Sequence, residues 1–245
     1  MGGNQKMRRK RSAAVFFFAV AMLGFGASAG GVDGTIEINQ AKVLAAGGFP
    51  YVVSNPGSYR LTGNLTVPAS TFGIKVNAPS VTVDLNGFSM TGSDKFSGVG
   101  VNAFGIADVT VENGAVSGFG AGVVTGKDGI VKSVRADANS NGITTDINSV
   151  VQGCTANGNS SGISGGSGSV ISGNTANSNF QGILCGSGCL VTGNTIDNNS
   201  STPLQFTDTT SGYGGNVMNG NGGLNIGFGT SLGAKNTNLC NGTAC

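Results

Sequence analysis

Apolar positions recur along this chain at one fixed interval, and polar positions keep step with them. Gly122, Gly142, Gly162 and Gly182 are each followed by an aliphatic residue: Val123, Ile143, Ile163 and Ile183. Val131, Val151, Ile171 and Val191 make a second aliphatic column at the same interval. Ala136, Ala156, Ala176 and Ile196 form a third. Two amide-rich columns run alongside: Asp137, Asn157, Asn177 and Asp197, then Asn139, Asn159, Asn179 and Asn199. Five columns in register over four turns mark a chain coiled so that each turn lies on the one before.

The spacing predicts an all-β, single-domain parallel β-helix of about eight or nine coils of ~20 residues, with residue n stacked on n+20 at ~4.8 Å. Aliphatic columns then point inward, into a core that no single turn could bury alone. Gly ahead of the aliphatic column supplies φ > 0 at a corner, and the Asx columns, tolerant of the left-handed region, suit the other turns. Helical solenoids are excluded, because their periods are longer and Asn-Gly-Asn-Ser text breaks helices. Toward the N-terminus, Val131 maps onto Val111 one period back and then, over a longer interval, onto Val83. The eight extra residues of that interval are placed around Thr91 to Phe96 as a protruding loop. Tyr59 to Val67 reads as the first strands, and Leu204 and Leu224 open two looser turns at the far end. Asn39 to Ala46 reads as a short Asn-capped helix ended by Gly47-Gly48, placed as a lid over the exposed N-terminal edge. The resulting layout is a leader (1–29), an N-terminal cap (30–58), the β-helix (59–230) and a C-terminal cap or tail (231–245).

The leader reading changes the charge. Lys6, Arg8, Arg9, Lys10 and Arg11 precede an apolar run from Ala13 to Phe25, and Ala27-Ser28-Ala29 offers a cleavage site, so the expected mature chain starts at Gly30. The run is too short to span a bilayer, which needs ~20 residues, so no transmembrane segment is expected after processing and the expected location is extracellular or periplasmic. Cleavage leaves eight basic against eleven acidic residues. A mildly acidic chain without a basic stripe is not a nucleic-acid binder. All five Cys survive cleavage. In an oxidising compartment Cys185 with Cys189, and Cys240 with Cys245, are expected to close small disulfide loops, leaving Cys154 as a small turn residue. No metal site is expected from this Cys spacing in a chain without His.

Val81-Thr-Val-Asp-Leu-Asn-Gly-Phe88, Val109-Thr-Val-Glu-Asn-Gly114 and the repeated Gly-Asn-Thr at 173–175 and 193–195 resemble the right-handed parallel β-helix superfamily of pectin-lyase-like proteins, in its exported bacterial form. The resemblance covers residues 51 to 230 and implies a right-handed coil. Its members range from pectate lyases and polygalacturonases to tailspikes and adhesin passengers, so a shared fold does not carry a shared chemistry. The clustered Asp, His and Arg-x-Lys of polygalacturonase-like members are missing from the mature region, and the stacked acids of the lyases are present only in fragments.

One outward file carries candidate chemistry. Asp84, Glu112 and Lys132, continued by Gln152, Ser172 and Thr192, are expected on successive rungs, with Arg135 nearby and Asp94, Lys95 and Phe96 on a loop from the same turn region. Stacked carboxylates raise one another's pKa, and a ~5 Å separation fits a retaining glycosidase. Alternatively the two acids hold Ca²⁺ while Lys132 or Arg135 removes a proton beside a uronate carboxylate. The plainer reading is a solvent-screened charge ladder that adds little to stability. Thr155, Thr175 and Thr195 form a second outward file, and Phe72, Phe96, Phe104 and Phe180 are expected at the surface. With no Trp, no cofactor implied and one sizeable loop, the favoured reading is a non-catalytic secreted or cell-surface β-helix, structural or binding a polysaccharide or cell-surface glycan. The alternative is a polysaccharide lyase, epimerase or hydrolase acting on acidic glycans. Oligomeric state is left open.

Overall fold

The computed structural model describes residues 1–2, 34–223, 226–227, 229–231 and 237–245; nearly all of the leader, and the Leu224 assignment, lie outside the described residues. The chain is a parallel β-solenoid of about nine turns, 50% strand against 3% helix. Each regular coil has three faces. In one coil they are Asn141–Thr145, Val150–Gln152 and Thr155–Asn157, here called the first, second and third faces. First-face strands stack into a nine-stranded sheet. The second and third faces join into one 18-stranded sheet, because Val109–Ser117 and Ile130–Asp137 each run through both.

The aliphatic columns stand where the period puts them. Val123, Ile143, Ile163 and Ile183 pair in successive rungs, each no more than 1% exposed. Val131, Val151, Ile171 and Val191, with Ala136, Ala156, Ala176 and Ile196, are fully buried. Apolar burial supplies the main driving force for stacking, at roughly 25 cal/mol per Å².

The bends hold three buried polar files that turn the period into hydrogen bonds. At the bend from third to first face, the backbone N–H of Asn139 donates to Asn159 Oδ1, Asn159 to Asn179, Asn179 to Asn199 and Asn199 to Asn221, at 2.8–3.0 Å. Each Nδ2 also donates to a carbonyl of the preceding coil, as Asn179 does to Ala156 O at 2.9 Å. A second file, Asn174, Asn194, Asn216 and Asn238, does the same between the second and third faces. Cys154 begins it: its backbone N–H donates to Asn174 Oδ1 (2.8 Å), and its thiol, 3.5 Å from Val131 O, stands where an amide would. A third file, Ser149, Ser169, Cys189 and Ser211, lines the bend from first to second face. A buried polar group without a partner costs about 1–3 kcal/mol, so these files stabilise where they are paired. The second ends at Asn238, whose Nδ2 has no partner among the described residues, and the third is interrupted at Cys189, whose sulfur is in a disulfide.

Two sequence expectations about turns are corrected. Gly122, Gly142, Gly162 and Gly182 do not supply φ > 0. Gly is required there by space: a Cβ on Gly142 would lie 2.5 Å from Gly162 O and 3.0 Å from Asn159 Nδ2. Nor do the two Asx columns, as columns, occupy the left-handed region. At the bends that conformation falls one residue ahead of the ladder members from Asn139 to Asn199, as at Asn148 (φ 58°) before Ser149 and Gly158 (φ 65°) before Asn159. The 137/157/177/197 column instead ends the third-face strands.

Toward the N-terminus the register loosens. The offset between coils is 28 at Val81–Val109, 26 at Ser89–Ala115, 22 at Val99–Ala121 and 20 at Thr110–Ile130. The eight extra residues are therefore shared among three bends, with four of them in the 93–98 loop. Strands begin at Ile36–Ile38, which pairs with Gly57–Leu61, earlier than Tyr59. The helix, Gln40–Ala45, is capped by the Asn39 side chain and buries Val43. Its Gln40 amide exchanges two hydrogen bonds with the backbone of Thr66, covering the open edge of Leu65–Val67. At the other end Leu204 pairs with Ile226, and Leu239–Cys240 folds back antiparallel on Thr243–Ala244. The Cys240–Cys245 disulfide closes that hairpin, and Cys185–Cys189 closes a bend within the coil.

Candidate functional site

The outward file on the second face is longer than the sequence reading. Glu37 pairs with Arg60, Arg60 with Asp84, Asp84 with Glu112, Glu112 with Lys132, and Lys132 with Gln152, before Ser172 and Thr192 complete it. Each stands outward because its neighbours in the strand, such as Val83 beside Asp84 and Val111 beside Glu112, turn into the core. Glu37 and Arg60 were missed because the intervals from Glu37 to Arg60 and from Arg60 to Asp84 both depart from the period. Ile36-Glu-Ile and Tyr59-Arg-Leu repeat the apolar–charged–apolar text of Val83-Asp-Leu85 and were the available signal.

The charges in this file are engaged with one another. Lys132 Nζ lies 2.7 Å from Glu112 Oε2. That hydrogen bond and charge, with a smaller contribution from Asp84, hold the Lys132 ammonium above the ordinary lysine range. A lysine that keeps its proton so firmly is a poor general base near neutral pH. Asp84 Oδ1 accepts from the backbone N–H of Asn86 (2.8 Å) and from Asn113 Nδ2 (3.2 Å), so it also shapes the following bend. Asp84 and Glu112 line a recess of about 200 Å³ with Arg60, Ser58 and Thr82. That is below the ~300 Å³ at which ligand pockets begin. A Ca²⁺ ion held by the two acids would have to displace Lys132 from Glu112.

The remaining candidates stand elsewhere. Arg135 is on the third face, across the bend at Ser133 and Val134, with Nε 3.2 Å from Asp137 Oδ2. It borders a shallow hollow of about 340 Å³ with Ala115, Gly153 and Thr155. Asp137's carboxyl lies above the ordinary range because partial burial outweighs the Arg135 charge. The loop with Asp94, Lys95 and Phe96 does not leave from the same turn region as the file. The strand Ser89–Gly92 intervenes, so the loop projects from the corner between third and first faces. There Asp94 accepts from Ser97 Oγ (2.7 Å) and the Phe96 backbone N–H (2.9 Å), bonds that hold its carboxyl below the usual range. Lys95 Nζ sits 5.2 Å from the centre of the Phe96 ring. The structure thus assembles Asp84, Glu112 and Lys132, sets Arg135 one face away, and places 94–96 at a further corner.

Cys154 is buried, and burial pushes its thiol up to about 11. A thiol so rarely ionised suits its place in the ladder and not a nucleophile's. Among the described residues no three acids or cysteines converge as a metal-binding group, and no helix is long and apolar enough to cross a membrane.

Fold and file together define a parallel β-solenoid with a ladder of mixed charge on one face. Comparison with protein-family models, curated proteins and solved structures found no match to this chain. The likeness to pectin-lyase-like proteins therefore rests on the turn motifs alone.

Proposed function

We propose that the chain is an exported, non-catalytic β-solenoid that binds extended polysaccharide along its outer faces. The observation that carries this reading is the strict register of its outward polar files: Gln152, Ser172 and Thr192 on the second face and Thr155, Thr175 and Thr195 on the third. Hydroxyls and amides repeated at the rung spacing of ~4.8 Å present the same contact many times. Such a surface suits a ligand that is itself repetitive and held by many weak bonds. Export is supported by the basic and apolar leader text and by two disulfides, which persist in oxidising compartments.

A second reading has its own support. Asp84 and Glu112 are direct register partners beside a recess, the arrangement from which a lyase, epimerase or hydrolase of acidic glycans would be built. One experiment separates the two. The purified mature chain is run through gels containing neutral or acidic polysaccharide, and the same mixtures, with and without Ca²⁺, are assayed for new reducing ends and for unsaturated-sugar absorbance. Retarded migration without product supports the binding module. Product that disappears in the Asp84→Asn, Glu112→Gln double variant establishes the second reading instead.

A further inference from the structure

Two recesses on the first face share two residues, Phe72 and Lys75. One, of about 260 Å³, is lined by Pro50, Ser70, Thr71, Phe72 and Lys75. The other, of about 290 Å³, adds Asn102, Phe104 and Ile106. They belong to the N-terminal coils, where the strand Phe72–Val76 lies between Tyr51–Val53 and Val99–Ala103. Each approaches the ~300 Å³ at which ligand pockets begin.

The chemistry of this patch differs from the rest of the solenoid. Among the described residues Lys75 is the one charged residue in its outward file, with Val52 on one side and Asn102 on the other. No carboxylate among the described residues is within ion-pair distance of it, whereas Lys132, Arg135 and Lys127 each have one. Phe104, 81% exposed, stands at the bend just beyond Val99–Ala103, and Phe72 is half-buried at the opposite end of its strand. Asn102 Oδ1 accepts from the Phe104 backbone N–H at 3.0 Å, which fixes the amide and leaves its Nδ2 able to donate outward. The 93–98 loop is fastened to the rim: Ser97 Oγ accepts from the backbone N–H of Ser70 at 3.1 Å. That brings the Lys95–Phe96 pair to the same corner.

An unpaired ammonium in recesses lined by two aromatic residues, with an amide donor alongside, matches a sugar ring bearing an anionic group. The rings offer apolar faces to the C–H face of a pyranose, and burial of that face on aromatic carbon is favourable. Lys75 meets the anion in a charge-assisted hydrogen bond, roughly twice as strong as a neutral one. We infer that the Phe72–Lys75–Phe104 patch is a subsite for an anionic sugar residue of a polysaccharide, and that it sets this solenoid's preference for acidic over neutral chains. The inference rests on the polysaccharide-binding reading and names the ligand class and the residues that select it.

The test compares wild type with Lys75→Gln, Lys75→Arg and Phe104→Ala, all surface changes, by gel retardation and titration calorimetry. The probes are a uronate polymer, a sulfated dextran and unmodified dextran. Wild type is expected to bind a polyanion in preference to dextran, and binding should weaken with added salt. Lys75→Gln and Phe104→Ala should each weaken it about tenfold, and Lys75→Arg should retain it. A preference for the uronate or for the sulfated polymer identifies the anionic group, and either supports the subsite. If both weakening variants bind the polyanion as wild type does, or if dextran binds equally well, the subsite is overturned while polysaccharide binding stands. Wild type that binds none of the three overturns both.

Discussion

The two halves of this solenoid solve the same stacking problem by different means. Between Asn139 and Asn199 every rung repeats at the same interval, and the bends are filled by hydrogen-bonded Asn, Ser and Cys. Between Ile36 and Val123 the coils are longer and uneven, the longest running from Val81 to Val109, and bends are filled by apolar side chains such as Leu85 and Phe119. A side-chain ladder demands that every rung place the same atom at the same height, so extra residues must fall outside the bend that carries it, as where Asn194–Asn216 and Asn199–Asn221 continue the ladders across coils of 22 residues. An apolar filling is non-directional and sets no such condition. The irregular half can therefore carry a loop, protruding aromatics and an unpaired lysine. The regular half trades that freedom for rigidity.

The largest effect should come from cutting a ladder. Asn179→Ala removes the acceptor of two Asn159 N–H donors and the donors to Ala156 O and Asn199 Oδ1, all buried. A loss of about 3 kcal/mol is expected, read as a lower urea midpoint. Next, Gly142→Ala should cost about 2 kcal/mol by forcing a Cβ against Gly162 O, whereas Gly173→Asn, at an open left-handed position, should stay within about 0.5 kcal/mol of wild type. If the two glycine variants behave alike, the spatial role assigned to the Gly122–Gly182 column fails. Moving the boundary between the halves should have a smaller effect. Cys154→Asn extends the second ladder by one rung and should stabilise by up to about 1 kcal/mol.

The smallest expected effect is pH-dependent. Asp137's folded pKa lies above its unfolded value, so the native state holds the proton longer and the burial cost applies only where the carboxylate is ionised. That cost appears as pH rises from the unfolded value of ~3.9 through the folded one. Asp137→Asn, which matches Asn157 and Asn177 in its file, should therefore stabilise the chain at pH 7 and lose that advantage by pH 3. Urea midpoints at the two pH values provide the check; an equal gain at both would assign the effect to packing.

How much was legible in the sequence follows the same division. The core columns and the Asn139–Asn199 file were readable because identical chemistry recurs at one spacing. The Ser149–Ser211 file was not, because Cys189 interrupts it and serine is common in turn text. The second Asn file was hidden in the Gly-Asn-Thr motif, which shows the amide but not that it points inward. Steric need and φ > 0 both select Gly, so sequence could not separate them at Gly142. In the irregular half, Asp84, Glu112 and Lys132 were aligned correctly because Val-Thr-Val text marks the strands of the two acids. Glu37 and Arg60 were lost to uneven coil lengths. Lys75 and Phe104 come from successive coils of unequal length and share a recess that no repeat spacing predicts.

Hydrogen exchange on the chain, with and without bound acidic polysaccharide, tests most directly whether the outward polar files and the Phe72–Lys75–Phe104 patch both meet the ligand. Ligand should add protection at 70–76 and 93–106, beside the patch, and at 150–157, 170–177 and 190–197, which carry the files. Unaltered exchange in both regions with ligand bound would contradict the account.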